Sequence, residues 1–115
     1  MKLSEIVQHI QVDDRKFTEY ALNEDHPKGR HKARRFRESL GFTAENFSDL
    51  KKQIEEKVLK AEAVVGGKDK HGQRYIVDIL IKGVNEKESV VRTGWIVPPD
   101  SNQAQLTTLF VRSET

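Results

Sequence analysis

A chain of 115 residues has room for one domain with one modest core, and none for a second catalytic lobe. With 36% hydrophobic and 33% charged residues it is too apolar and too regularly patterned to be disordered. The formal net charge of +2 excludes a molecule-wide field as the source of nucleic-acid affinity, so any such affinity must come from local clustering.

The absence of cysteine excludes disulfides, thiolate metal sites and cysteine nucleophiles. Residues 1–10 lack the apolar core of a secretory leader, and no run is long enough to span a bilayer. Cytoplasmic residence without a membrane partner is the expectation. The organisation expected is a single domain over 1–115, helical over about 13–60 and sheet over about 61–112, with residues 112–115 as a frayed tail.

In chain order, Asp13 or Asp14 can cap a short helix over 15–22 in which Phe17, Tyr20 and Ala21 share a face. Pro27 breaks that pattern. A second helix is predicted from residue 28 or 29 to 40, with Ala33, Phe36 and Leu40 on its buried face and Gly41 at the left-handed position that ends it. Thr43 is the predicted cap of a third helix, whose stripe is Phe47, Leu50, Ile54 and Val58.

Beyond Ala61 the period changes to two. Over residues 73–82, Tyr75, Val77, Ile79 and Ile81 alternate with Arg74, Ile76, Asp78, Leu80 and Lys82, which reads as a long strand. Further strands are predicted over 89–97 and 105–112, with a short first one over 61–65. Short turns between consecutive strands imply an antiparallel meander of three to four strands. Helices placed before it would cover one sheet face, giving an α+β two-layer sandwich.

The densest chemistry lies over residues 23–36, where His26 and His31 accompany Lys28, Arg30, Lys32, Arg34 and Arg35 around a turn and the helix after it. Backbone amides at a helix start attract anions, and neighbouring cations add charge-assisted hydrogen bonds. Phosphate is therefore the expected ligand, with Lys28, Arg30, Arg34 and Arg35 as its candidate partners. No metal and no cofactor is expected, since His9, His26, His31 and His71 are scattered and no carboxylate recurs at ligand spacing.

The order of motifs carries a resemblance. Tyr20-Ala21-Leu22-Asn23, then His26-Pro27-Lys28-Gly29-Arg30-His31-Lys32-Ala33, Phe36, Leu40-Gly41, Gly72-Gln73-Arg74-Tyr75-Ile76-Val77-Asp78, Val91-Arg92-Thr93-Gly94-Trp95-Ile96-Val97 and Leu106-Thr107 follow one another over residues 10–112. This arrangement resembles a family of short bacterial domains of unknown function, found alone or at the C-terminal ends of polymorphic toxins. More loosely, the architecture is similar to the barnase, EndoU, colicin and RelE group of metal-independent ribonucleases. That resemblance implies cleavage of RNA through its own 2′-OH, with RNA and a cognate antitoxin or immunity protein as partners. The roles it needs are a base, cations on the phosphorane and an acid for the leaving oxygen. His26 or His31 can supply the base, Lys32 and Arg92 the cations, and Thr93, Thr107 or Thr108 a hydroxyl that orients the phosphate.

Each of these residues also has a purely structural reading. His26 can simply hydrogen-bond its loop, His31 can be a solvent position, and Arg92 can pair with Asp78 on the adjacent strand. The cation run can be the wet side of an amphipathic helix, although six cations in residues 28–37 with no acid among them exceed that need. The competing functions are a non-catalytic module that binds nucleic acid or protein, and a homodimeric structural or regulatory domain joined through the second sheet face.

Overall fold

A computed structural model describes residues 1–112. After a 3₁₀ turn (Leu3–Glu5) come strand β1 (His9–Gln11), a π-helical segment (Lys16–Ala21), helix α1 (Arg30–Leu40) and helix α2 (Ser48–Lys57), which tightens into a 3₁₀ turn over Val58–Lys60. Four strands complete the chain: β2 (Ala63–Asp69), β3 (Gly72–Lys82), β4 (Glu88–Val97) and β5 (Gln103–Val111). The class is α+β.

The sheet corrects the expectation of three to four antiparallel strands. It has five strands in the order β1-β5-β4-β3-β2 and is mixed, because β1 runs parallel to β5 through His9 opposite Gln103 and Gln11 opposite Gln105. The remaining four strands do form the antiparallel meander. Strand β1 is set in place by the Asn102 carbonyl, which accepts from the amides of Gln8 and His9 at 3.0 and 3.2 Å.

Val77, Ile79 and Ile81 from β3, Val91 and Trp95 from β4, and Ala104, Leu106, Leu109 and Val111 from β5 form the buried sheet face. The helical segments lay Phe17, Phe36, Leu40, Leu50, Ile54 and Val58 on it. Along β5 the inward positions change phase between Leu106 and Leu109, because a bulge sets two residues of β5 against the Gly94–Trp95 step of β4. Thr107 and Thr108 flank Gly94 there; a Cβ on Gly94 would stand 2.9 Å from Thr108 Cγ2 and 3.2 Å from Thr107 Oγ1. Residues 113–115 of the expected tail lie outside the described residues. Arg112 itself is anchored, its amide donating to the Val90 carbonyl at 2.8 Å.

The second helix forms as its apolar spacing predicts, and Gly41 ends it at φ 74°. The third begins later than expected. Thr43 does not cap it, because the Thr43 amide donates to Asn46 Oδ1 at 2.7 Å inside a turn that precedes α2. Phe47 stacks on Phe17 instead, with ring centroids 5.4 Å apart. Helix α2 seals the end of β3 with side chains in place of a strand. Gln53 accepts from the Lys82 amide at 2.9 Å and donates to the Lys82 carbonyl at 2.7 Å, while Lys57 Nζ donates to the Leu80 carbonyl.

Thr93 is the buried polar residue of the core. Its hydroxyl donates to the Val77 carbonyl and accepts from Trp95 Nε1, both at 2.7 Å, so the indole N–H is satisfied without water. Thr93→Val keeps the shape and strands that N–H in an apolar core. The expected loss is about 1–3 kcal/mol in denaturant unfolding followed by tryptophan fluorescence; a loss below experimental error would mean that the indole has another partner.

Candidate functional site

Helix α1 lies against β5 and the edge of β4, and its sequence decides what it offers to solvent. Ala33, Phe36 and Leu40 are buried, whereas Arg30, His31, Arg34, Arg35 and Arg37 are exposed. Arg37 pairs with Glu24 at 3.1 Å. Among the described residues, Lys28, Arg30, Lys32, Arg34 and Arg35 have no carboxylate within 4.0 Å. Without alternating acids, the cation run is a concentrated positive face.

His26 closes the turn that leads into this helix. Its Nδ1 accepts from the amides of Lys28 at 3.0 Å and Gly29 at 2.8 Å, and its backbone carbonyl accepts from the Arg30 amide at 3.0 Å. A nitrogen that accepts two N–H groups carries no proton, so the ring proton sits on Nε2. The loop-bonding reading of His26 accounts for this geometry. Its ring stacks on Tyr20 at 5.2 Å between centroids. Gly29 is needed beside it, because a Cβ there would meet the Tyr20 carbonyl at 3.1 Å and His26 Nδ1 at 3.3 Å.

Lys32 joins that turn to the sheet. Its Nζ lies 5.6 Å from the Tyr20 ring centroid and 5.1 Å from that of Phe110 on β5. His31, Lys32 and Arg35 line one cavity of about 180 Å³ with Phe110 and Val111. A larger cavity of about 490 Å³ lies between the end of α2 and β3, but its lysines Lys57 and Lys60 share it with Glu56 and Asp78, and Lys57 is spent on the Leu80 carbonyl. The chemistry therefore favours the smaller cavity.

Arg92 stands across from Phe110 on the sheet face turned away from the core. Its guanidinium donates to Asp78 through Nε at 2.9 Å and Nη2 at 3.1 Å, and Arg112 Nη1 adds a third bond at 3.0 Å. The Arg92 hydrogen bond foremost holds the Asp78 carboxyl below the ordinary carboxylate range, against the opposing effect of partial burial. The same bond raises the Arg92 pKa. The structural reading of Arg92 accounts for this geometry, and it leaves one carboxylate shared between two guanidiniums.

Of the residues singled out in the sequence, His31, Lys32 and Arg35 meet at one cavity, and His26 is linked to them through Tyr20. Arg92 and Thr107 lie on the neighbouring open sheet face. Lys28, Arg30 and Arg34 are exposed around the same helix. Thr93 is corrected: fully buried and hydrogen-bonded on both sides of its hydroxyl, it cannot reach a substrate. Tyr20 and Phe110 were missed as site residues. Among the described residues, no group of three metal-ligating side chains stands together, and no helix is long and apolar enough to cross a membrane.

A family model described as a domain of unknown function, DUF6883, matches residues 2–113. The chain belongs to that family. No curated protein matches this DUF6883 domain significantly. Among solved structures it is similar to a chain of a contact-dependent growth inhibition toxin–immunity protein complex from Klebsiella pneumoniae 342, with a TM-score of 0.70 and 16% identity over 90% of this chain and 93% of that one. At that identity the likeness is one of fold.

Two measurements check the geometry of the DUF6883 domain. His26→Ala removes the side-chain acceptor of the turn before α1 and is expected to cost about 1 kcal/mol in thermal or denaturant unfolding. His26→Asn, which keeps a side-chain acceptor, should recover most of that loss; equal losses in both variants would dismiss the turn-closing role. For Asp78 the folded pKa is depressed, so its contribution is complete above the unfolded value near 4 and disappears as pH falls through the folded value. The stability gap between wild type and Asp78→Asn should thus be widest near neutrality and close in acid. A gap that widened in acid would reverse the assigned sign.

Proposed function

We propose that this domain is a toxin-like effector that binds RNA on the α1–β5 face and cleaves it without a metal. The observation that carries the reading is the convergence of His31, Lys32 and Arg35 on a cavity floored by an aromatic ring, beside cations that lack carboxylate partners among the described residues. A fold shared with a chain of a toxin–immunity complex supports the same reading.

The roles follow from what each side chain still has free. His31 is exposed, and its imidazole takes the proton from the RNA 2′-OH. The 2′-oxygen then bonds to phosphorus as the bond from phosphorus to the 5′-oxygen breaks, leaving a 2′,3′-cyclic phosphate. Lys32 and Arg35 neutralise the non-bridging oxygens, and the Lys32 ammonium passes a proton to the departing 5′-oxygen. Solvent returns the proton from His31 to Lys32. Lys28, Arg30 and Arg34 hold flanking phosphates, and Thr107 offers its hydroxyl from the open sheet face. Arg92, already held by Asp78, contributes field and not a free fork.

A second reading, a domain that works by docking to a protein, rests on a different observation. The open sheet face and its edge expose Val64 at 62%, Leu80 at 54% and Ile76 at 36%, apolar surface suited to an immunity-type partner or a second copy.

Cleavage of total and synthetic RNA by purified protein in EDTA separates the readings. The wild type is expected to generate cyclic-phosphate ends, and His31→Ala to lower the rate by roughly 10²–10⁴-fold without shifting the melting temperature. Lys32→Ala should lower both rate and affinity. Intact RNA with salt-sensitive binding would leave a binding module, and intact RNA without binding would leave the protein-docking reading.

A further inference from the structure

Phe110 sits among the cations with no core to serve. It faces away from the buried residues Leu109 and Val111 on β5, opposite Arg92 of β4 and two positions from Arg112. From the helix side Lys32 Nζ approaches its ring to 5.1 Å, and His31 and Arg35 complete the cavity beside it. The ring is half-buried outside the core, and what covers it from the helix side is a charge.

A flat ring flanked by cations on both sides is the arrangement that single-stranded nucleic acid uses. Each base offers a π face for stacking, and the phosphates on either side of it find a positive partner. The cations lie on both flanks here: Lys32 and Arg35 on α1, and on the sheet Arg92 and Arg112, which share Asp78 and keep one net positive charge. The cavity beside the ring has a volume of about 180 Å³. A duplex keeps its bases stacked on one another and has no face to give.

Resting on the RNA reading above, we propose that Phe110 is the stacking platform for one unpaired base and makes this surface selective for single-stranded over double-stranded RNA. The Lys32 ammonium, which now covers the ring, is displaced by the incoming base onto its phosphate. Its long flexible stem permits that move without a change in α1.

The test measures binding by fluorescence anisotropy to a short mixed-sequence 2′-O-methyl RNA, which cannot be cleaved through its own 2′-oxygen, and to the blunt duplex of the same length. Wild type should prefer the single strand. Phe110→Leu should weaken single-strand binding on the order of tenfold while changing duplex binding less than about twofold. Phe110→Trp, which keeps a stacking face, should restore it, with circular dichroism confirming that both variants fold. Single-stranded DNA should lose affinity by a similar factor, because stacking ignores the sugar.

Equal losses on single strand and duplex would overturn the proposal and reduce Phe110 to a support for Lys32. Unchanged single-strand binding in Phe110→Leu, or a loss confined to RNA, would overturn it as well. Either result beside intact RNA cleavage by wild type leaves the RNA reading standing; a wild type that neither binds nor cleaves RNA removes both.

Discussion

Helix α1 is pinned at both ends by backbone contacts that leave little room for other side chains, and the basic face inherits its position from them. At the start, His26 closes the turn before the helix while Gly29 passes within van der Waals reach of the Tyr20 carbonyl. At the end, Gly41 takes the left-handed turn at φ 74°, and the Val84 amide reaches back to the Leu40 carbonyl at 3.0 Å. Gly83 makes that approach feasible, since a Cβ on it would stand 2.3 Å from the Leu40 oxygen. A helix held so tightly carries its cations to one place on the β5 edge. Apart from Arg37, which pairs with Glu24, their mutual repulsion is opposed by the fold and not by paired acids.

The open sheet face balances charge differently. Asp78 accepts from two guanidiniums, so the cluster of Asp78, Arg92 and Arg112 keeps one net positive charge and still satisfies its only anion. Arg92 is held in one orientation by its two bonds, which costs a long side chain much of its rotamer freedom. Phe110 thus faces a fixed positive wall on the sheet side and the movable Lys32 on the helix side. One flank of the proposed base slot is rigid; the other can adapt.

Much of the fold was legible in the sequence because its patterns are long. The alternation through Val77, Ile79 and Ile81 and the helical spacing of Ala33, Phe36 and Leu40 each had enough repeats to reveal a buried face. The opposition of Asp78 and Arg92 was also visible, since both lie on neighbouring strands joined by a short turn. Strand β1 had no comparable signal: three residues with only Ile10 half-buried make no pattern, and their pairing depends on the distant Asn102 carbonyl. Phe110 escaped for a different reason. Strict alternation from Ala104 and Leu106 would turn it inward, and only the bulge at Thr107–Thr108 reverses the phase. A twofold pattern cannot announce its own interruption.

The seal that α2 places on β3 makes one amide report on something other than its sheet. The Lys82 N–H donates to Gln53 Oε1 on the helix, so its protection from hydrogen exchange depends on the docking of α2. Amides shared between β3 and β4 answer instead to opening of the meander. Within one strand, adjacent positions therefore record two separate events, detachment of the helical layer and separation of the strands, and a single exchange measurement can time one against the other.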